Sequence, residues 1–107
     1  MTLDEVLDAY SKIDLKPCTG RYVGDGECCP IAAIVIRDGW SGQHASVTFD
    51  KRYDTTGRYR DGFTDGFDGN RDRSKDHPKG HPYVAGYKDG LAVMVGLIER
   101  GMLDADN

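Results

Sequence analysis

Tyr59-Arg60-Asp61-Gly62-Phe63-Thr64-Asp65-Gly66-Phe67 returns 24 residues later as Tyr83-Val84-Ala85-Gly86-Tyr87-Lys88-Asp89-Gly90-Leu91. In each copy the bulky apolar positions fall at i, i+4 and i+8, one face of a helix, and the glycines at i+3 and i+7 lie beside that face. A glycine inside a helix costs roughly 1 kcal/mol against alanine. Four of them set into two helical stripes therefore need a tertiary reason, and the simplest is the close approach of two backbones. The repeat predicts a Gly-notched helical hairpin, 59–68 against 82–100, with the aromatic side chains in the core.

Working outward, the first of these helices should begin near Thr56, with Thr55 or Thr56 as its cap. The second opens on Pro82, whose missing N–H is not needed at a first helical position, and Gly101 ends it. Its expected core stripe is Tyr83, Tyr87, Leu91, Met94 and Ile98. The connection Gly69 to Gly80 is charged and free of apolar residues, so it reads as exposed. Upstream, Thr2 with Glu5 forms a capping box, and Leu3, Val6, Leu7, Tyr10 and Ile13 trace an amphipathic helix to about Asp14. Lys16 to Glu27 reads as an extended loop. Pro30 can start a helix over Ile31 to Arg37 that Gly39 stops in the left-handed conformation; the β-branched residues there also allow a short β-hairpin over 31–49, with Ala45 to Phe49 as its second strand. The fold class expected is mainly α, a single domain of about four helices over residues 1–107 with a frayed tail at 104–107.

A chain of 107 residues, 38% apolar and 30% charged, can build one small core without disulfides or metals. The N-terminus lacks a cationic leader pattern, and the longest apolar run, Ile31 to Ile36, is too short to span a membrane. Three cysteines, two of them adjacent, fit a reducing compartment. A cytoplasmic protein, bacterial or phage-borne, is expected. The net charge of −4 disfavours nonspecific nucleic-acid binding. Arg58, Arg60, Arg71, Arg73, Lys75 and Lys79 nevertheless supply a local basic patch around the link, a candidate surface for RNA or a partner.

Several constellations carry candidate chemistry. Cys28, Cys29, His77 and His81 offer the nitrogen and sulfur ligands zinc accepts, with His77 and His81 at a spacing seen in finger-type sites. Adjacent cysteines are unusual for such a site, and the alternative is buried thiols with His81 capping the last helix. Cys29 before Pro30 would lie at a helix N-terminus, where a thiolate is stabilised, with His44 or His81 as its base. Asp68, Asn70, Asp72, Ser74 and Asp76 alternate like the ligands of a calcium loop, but Arg73 and Lys79 stand where that loop needs glycine and a bidentate carboxylate. Asp61, Asp65 and Asp68 share one helical face, as a salt-bridged surface or as an acid/base group.

Gly62-Phe63, Gly66 and Gly69, the charged stretch Arg71 to Lys79, Pro82-Tyr83 and Tyr83-Val84-Ala85-Gly86-Tyr87 together resemble the small helical ribosome modulation factor group over about a third of the chain. The resemblance implies a helical hairpin and contact with the ribosome or structured RNA. From the residues themselves the leading expectation is a non-enzymatic binding protein that contacts a protein or ribonucleoprotein partner. A zinc or thiol protein using Cys28, Cys29, His77 and His81, and RNA binding around the 69–80 link, are the alternatives.

Overall fold

The computed structural model describes residues 1–20, 23–39, 45–53 and 57–104. The elements are α1 (Leu3–Ser11), β1 (Lys16–Pro17), β2 (Val23–Gly24), β3 (Glu27–Cys28), α2 (Pro30–Arg37), α3 (Ala45–Tyr53), α4 (Arg58–Asp68), a 3-10 turn at Ser74–Asp76, and α5 (Pro82–Glu99). The fold is mainly helical, as the periodicities require.

The α4–α5 pair is built on the repeat. A Cβ added to Gly62 would overlap the Tyr83 carbonyl, one on Gly66 the Tyr87 carbonyl, one on Gly86 the Tyr59 carbonyl and one on Gly90 the Phe63 carbonyl, all inside the 3.0 Å that real Cβ atoms keep. The contacts are reciprocal, so the two copies are related by an approximate two-fold axis. Their register also fixes direction: from Gly62 to Gly66 the opposing carbonyl advances from Tyr83 to Tyr87. The two helices therefore run parallel, unlike a simple hairpin, and the 69–81 link must return along the pair before α5 can begin.

Both helices stop where glycine permits a left-handed residue. Gly69 has φ 74°, and the Asn70 N–H reaches back to the Asp65 carbonyl at 2.8 Å. Gly101 has φ 69°, and the Met102 N–H reaches the Leu97 carbonyl at 2.9 Å. These 6→1 bonds satisfy carbonyls that the ending helix would otherwise leave open.

The remaining elements cover one flank of the pair. Residues 30–35 of α2 are buried on every side, which makes this short helix the centre of the core. Around it gather Val6 and Ala9 of α1, Phe49 of α3, Phe63 and Phe67 of α4, and Val93 and Leu97 of α5. The three strands form a sheet of order β1-β3-β2, with β1 parallel and β2 antiparallel to the central strand. The Tyr10 hydroxyl of α1 donates to the Cys28 carbonyl at 2.6 Å and ties the sheet to the helices.

The structure corrects several boundaries. The 31–49 segment holds no β-hairpin among its described residues: Pro30 occupies the first helical turn, Gly39 stops the helix at φ 93°, and Ala45–Tyr53 is helical with Phe49 fully buried. The extended reading of 16–27 becomes paired strands. The first helix ends at Ser11, short of Asp14, although Thr2 Oγ1 accepts from the Glu5 N–H at 3.2 Å as expected. The cap of α4 is Gly57 at φ 75°; Thr55 and Thr56 lie outside the described residues, as do 105–107 of the expected frayed tail. The buried residues of α5 are Tyr83, Gly86, Gly90, Val93, Gly96 and Leu97, whereas Leu91 is 41% exposed. Glycine draws the α4 backbone onto its own face of the helix, so the adjacent aliphatic position turns away.

Candidate functional site

The matched aspartates of the repeat are explained by the two-fold. The Tyr83 hydroxyl donates to Asp65 at 2.6 Å, and the Tyr59 hydroxyl donates to Asp89, so each helix supplies the tyrosine for the other's carboxylate. The Met1 ammonium adds to the second pair, 3.1 Å from Asp89. On the first pair, the Arg73 N–H donates to the Tyr83 hydroxyl at 3.3 Å and fastens the link to the helices. Burial, reinforced by the bond to Asp65, pushes the Tyr83 phenol up to about 12.

Because the pair is parallel, the N-termini of α4 and α5 lie at one end, and a cleft of about 430 Å³ opens there between α4, the link and Tyr83. Arg58, Arg60, Arg73 and His77 line it together with Thr64 and the carboxylates of Asp61 and Asp65. Arg60 is committed to Asp50 at 2.8 Å. Arg58, Arg71, Arg73, Lys75 and Lys79 are exposed and form no ion pair with any described residue. Gly57 gives α4 no side-chain cap, and Asp61 is the acidic residue of its first turn. The cleft thus gathers three of the six basic residues singled out from the sequence, Arg58, Arg60 and Arg73. His77, which the sequence suggested only as a zinc ligand, joins them.

The four candidate zinc ligands fall into two pairs. The His77 and His81 rings stack with centroids 4.2 Å apart, His77 lies 4.9 Å from the Tyr83 ring, and His81 Nδ1 accepts the Tyr83 N–H at 3.1 Å as the cap of α5. Cys28 and Cys29 lie in the hydrophobic core. Among the described residues no three His, Cys, Asp or Glu side chains form a group able to hold a metal. Burial pushes both thiols up to about 12, the opposite of an activated nucleophile. His44, the other candidate base, lies outside the described residues.

The calcium-like carboxylates have separate employments. Asp72 accepts the Ser74 N–H at 2.8 Å, and its hydrogen bonds to Ser74 hold its carboxyl below the usual range. Asp65 takes the Tyr83 hydroxyl and the Asn70 amide, while Asp68 accepts the Gly20 N–H at 3.1 Å. The signal for the Tyr–Asp pairing was present in the repeat, as tyrosine at i and aspartate at i+6 in both copies. Reading it required knowing that the copies face each other in parallel.

No helix among the described residues is long and apolar enough to cross a membrane. Set beside known protein families, characterised proteins and solved structures, the chain matches none of them.

Proposed function

We propose that the protein is a small non-enzymatic binding protein that docks on a ribonucleoprotein or protein partner, using the cleft at the paired N-termini of α4 and α5 as its contact face. The observation behind this reading is a group of exposed cations at one end of a chain whose net charge is −4, Arg58 and Arg73 at the cleft beside the carboxylates Asp61 and Asp65 and further basic residues along the link. Arg58 and Arg73 stand exposed at the cleft and form no ion pair with a described residue, and Arg71, Lys75 and Lys79 continue the charge along the link. Two helix N-termini add about half an elementary charge each at that end. The group that answers this field is anionic. Guanidinium forks suit phosphate oxygens, which favours the RNA of a ribonucleoprotein, in keeping with the resemblance over 62–87. The acidic remainder of the molecule would confine such contact to this end.

Retention of the purified protein on immobilised structured RNA is expected to fall steeply as salt is raised. Arg58→Glu combined with Arg73→Glu should abolish retention while leaving the thermal melt unchanged. Retention indifferent to salt and to both reversals would remove the cleft from the reading, and binding of an acidic protein in place of RNA would select the other partner class.

A further inference from the structure

α5 is apolar on more than the side that packs on α4. Val84, Tyr87, Leu91, Met94 and Ile98 recur at steps of three and four residues, the 3.5-residue period of a coiled-coil seam. The seam runs beside the buried residues Gly90, Val93 and Leu97, on the edge of the helix away from α1. α1 meets the opposite edge, through Leu3 at Gly96, and the Met1 ammonium reaches Asp89 there. Leu91 and Val95 are 41% and 42% exposed; Val84 and Tyr87 are partly so, as are Met94 and Ile98, which give the rest of their surface to the core. No charged side chain interrupts the seam. The two-fold counterparts of Tyr87 and Leu91 are Phe63 and Phe67, and these are buried in the core around α2. An open apolar seam of this length marks a surface that another chain covers.

We propose that a second copy of this chain covers it, α5 lying antiparallel on α5 across a two-fold axis near Met94. Charge complementarity argues for both the occupant and the direction. Lys88 and Glu99 are exposed, form no ion pair with any described residue, and stand about three turns apart on the same rim of the seam. In an antiparallel pair with the axis midway between them, Lys88 of each copy faces Glu99 of the other, while Tyr87, Leu91, Met94 and Ile98 interleave along the seam. A parallel pair would set lysine on lysine and glutamate on glutamate. The rim therefore carries its own complement, which is what a two-fold interface requires. The seam uses none of the residues of the basic cleft, so this inference stands apart from the proposed contact with RNA.

Sedimentation equilibrium of the full chain, from about 1 μM to about 1 mM, is the test, and a monomer–dimer equilibrium is the expected result. Leu91→Asp and, separately, Val95→Asp should weaken dimerisation about a hundredfold or more, because each would bury an unpaired carboxylate from both copies. Both should leave the circular dichroism of the monomer unchanged, since the two positions are exposed. Lys88→Glu alone or Glu99→Lys alone should weaken dimerisation about tenfold, the two-fold doubling each repulsion, and the two together should restore it. A mass that stays monomeric at about 1 mM would overturn the inference and assign the seam to a helix of a different protein. A dimer indifferent to Leu91→Asp and Val95→Asp would overturn it too, as would a double charge exchange that fails to restore what the single reversals lose.

Discussion

Tyr83 shows how one residue of the repeat serves several levels of structure. Its ring stands within stacking range of His77, its hydroxyl donates to Asp65 on the neighbouring helix, and the same oxygen accepts from Arg73 in the link. Tyr83→Phe is expected to lower stability by about 1–2 kcal/mol, since hydrogen bonds to charged groups carry roughly that worth. Urea unfolding measures it. The buried acids add a pH signature. Tyr83 moves from 10.0 to about 12 on folding, and Cys28 and Cys29 move from 9.0 to about 12, because burial disfavours their anions. The native state therefore holds these protons more tightly than the unfolded chain. Their contribution is complete below about pH 9 and is lost as pH rises toward 12. The urea midpoint should consequently fall between about pH 9 and pH 12. At neutral pH the thiols should react with a disulfide reagent far more slowly in the native protein than in denaturant.

The glycines act at the scale of the element. Gly62→Ala or Gly86→Ala forces a methyl group into the opposing carbonyl, and backbone cannot yield as a side chain can. Each should cost about 3 kcal/mol or more, in spite of alanine's better helix propensity. Gly96→Ala is the control. There the nearest atoms to the added carbon belong to the Leu3 side chain and not to backbone, and a side chain can move aside, so the cost should be much smaller. Comparable losses at all three positions in urea unfolding would argue against a backbone-to-backbone contact. Direction can be checked as well. Spin labels at the exposed positions Arg58 and Ala85 should lie close together, and moving the second label to Glu99 should lengthen the separation by up to about 20 Å, given a rise of 1.5 Å per residue. An antiparallel pair would reverse that order.

At the scale of the molecule, the radius of gyration of 12.9 Å is that of a compact chain, for which about 13 Å is expected at this length. The two-fold holds for the helix pair and fails for its surroundings. Phe67 is covered by the core around α2, while its counterpart Leu91 faces outward. One flank of the pair has thus become the interior and the other the surface. The parallel arrangement also polarises the molecule, bringing two helix N-termini and the basic cleft to one end. Because Arg58 and Arg73 are exposed there, reversing both charges should change stability by no more than about 0.5 kcal/mol. A larger loss in the melt would mean that these side chains serve the fold and not a ligand.

The sequence by itself pointed to two Gly-notched helices packed backbone to backbone, the simplest arrangement that repays four helical glycines. It also marked both ends of α5, through Pro82 and Gly101, whereas the start of α4, expected near Thr56, lies at Arg58 after Gly57. Helix or strand at 31–37 was left open by the sequence, where Pro30 and Gly39 allowed a helix and the β-branched run a strand, and it was the structure that decided for the helix, buried on all sides. Parallel direction, the exchange of Tyr59 and Tyr83 between Asp89 and Asp65, and the meeting of Arg58 with Arg73 and His77 were decided only by the tertiary structure. Local periodicity marks a candidate apolar face, displaced in α5 toward Gly86, Gly90, Val93 and Leu97 by the close contact, and it carries no information on the direction of the neighbour or on which distant charges share a cleft. Those are set by where the link returns and by which carbonyl each glycine admits.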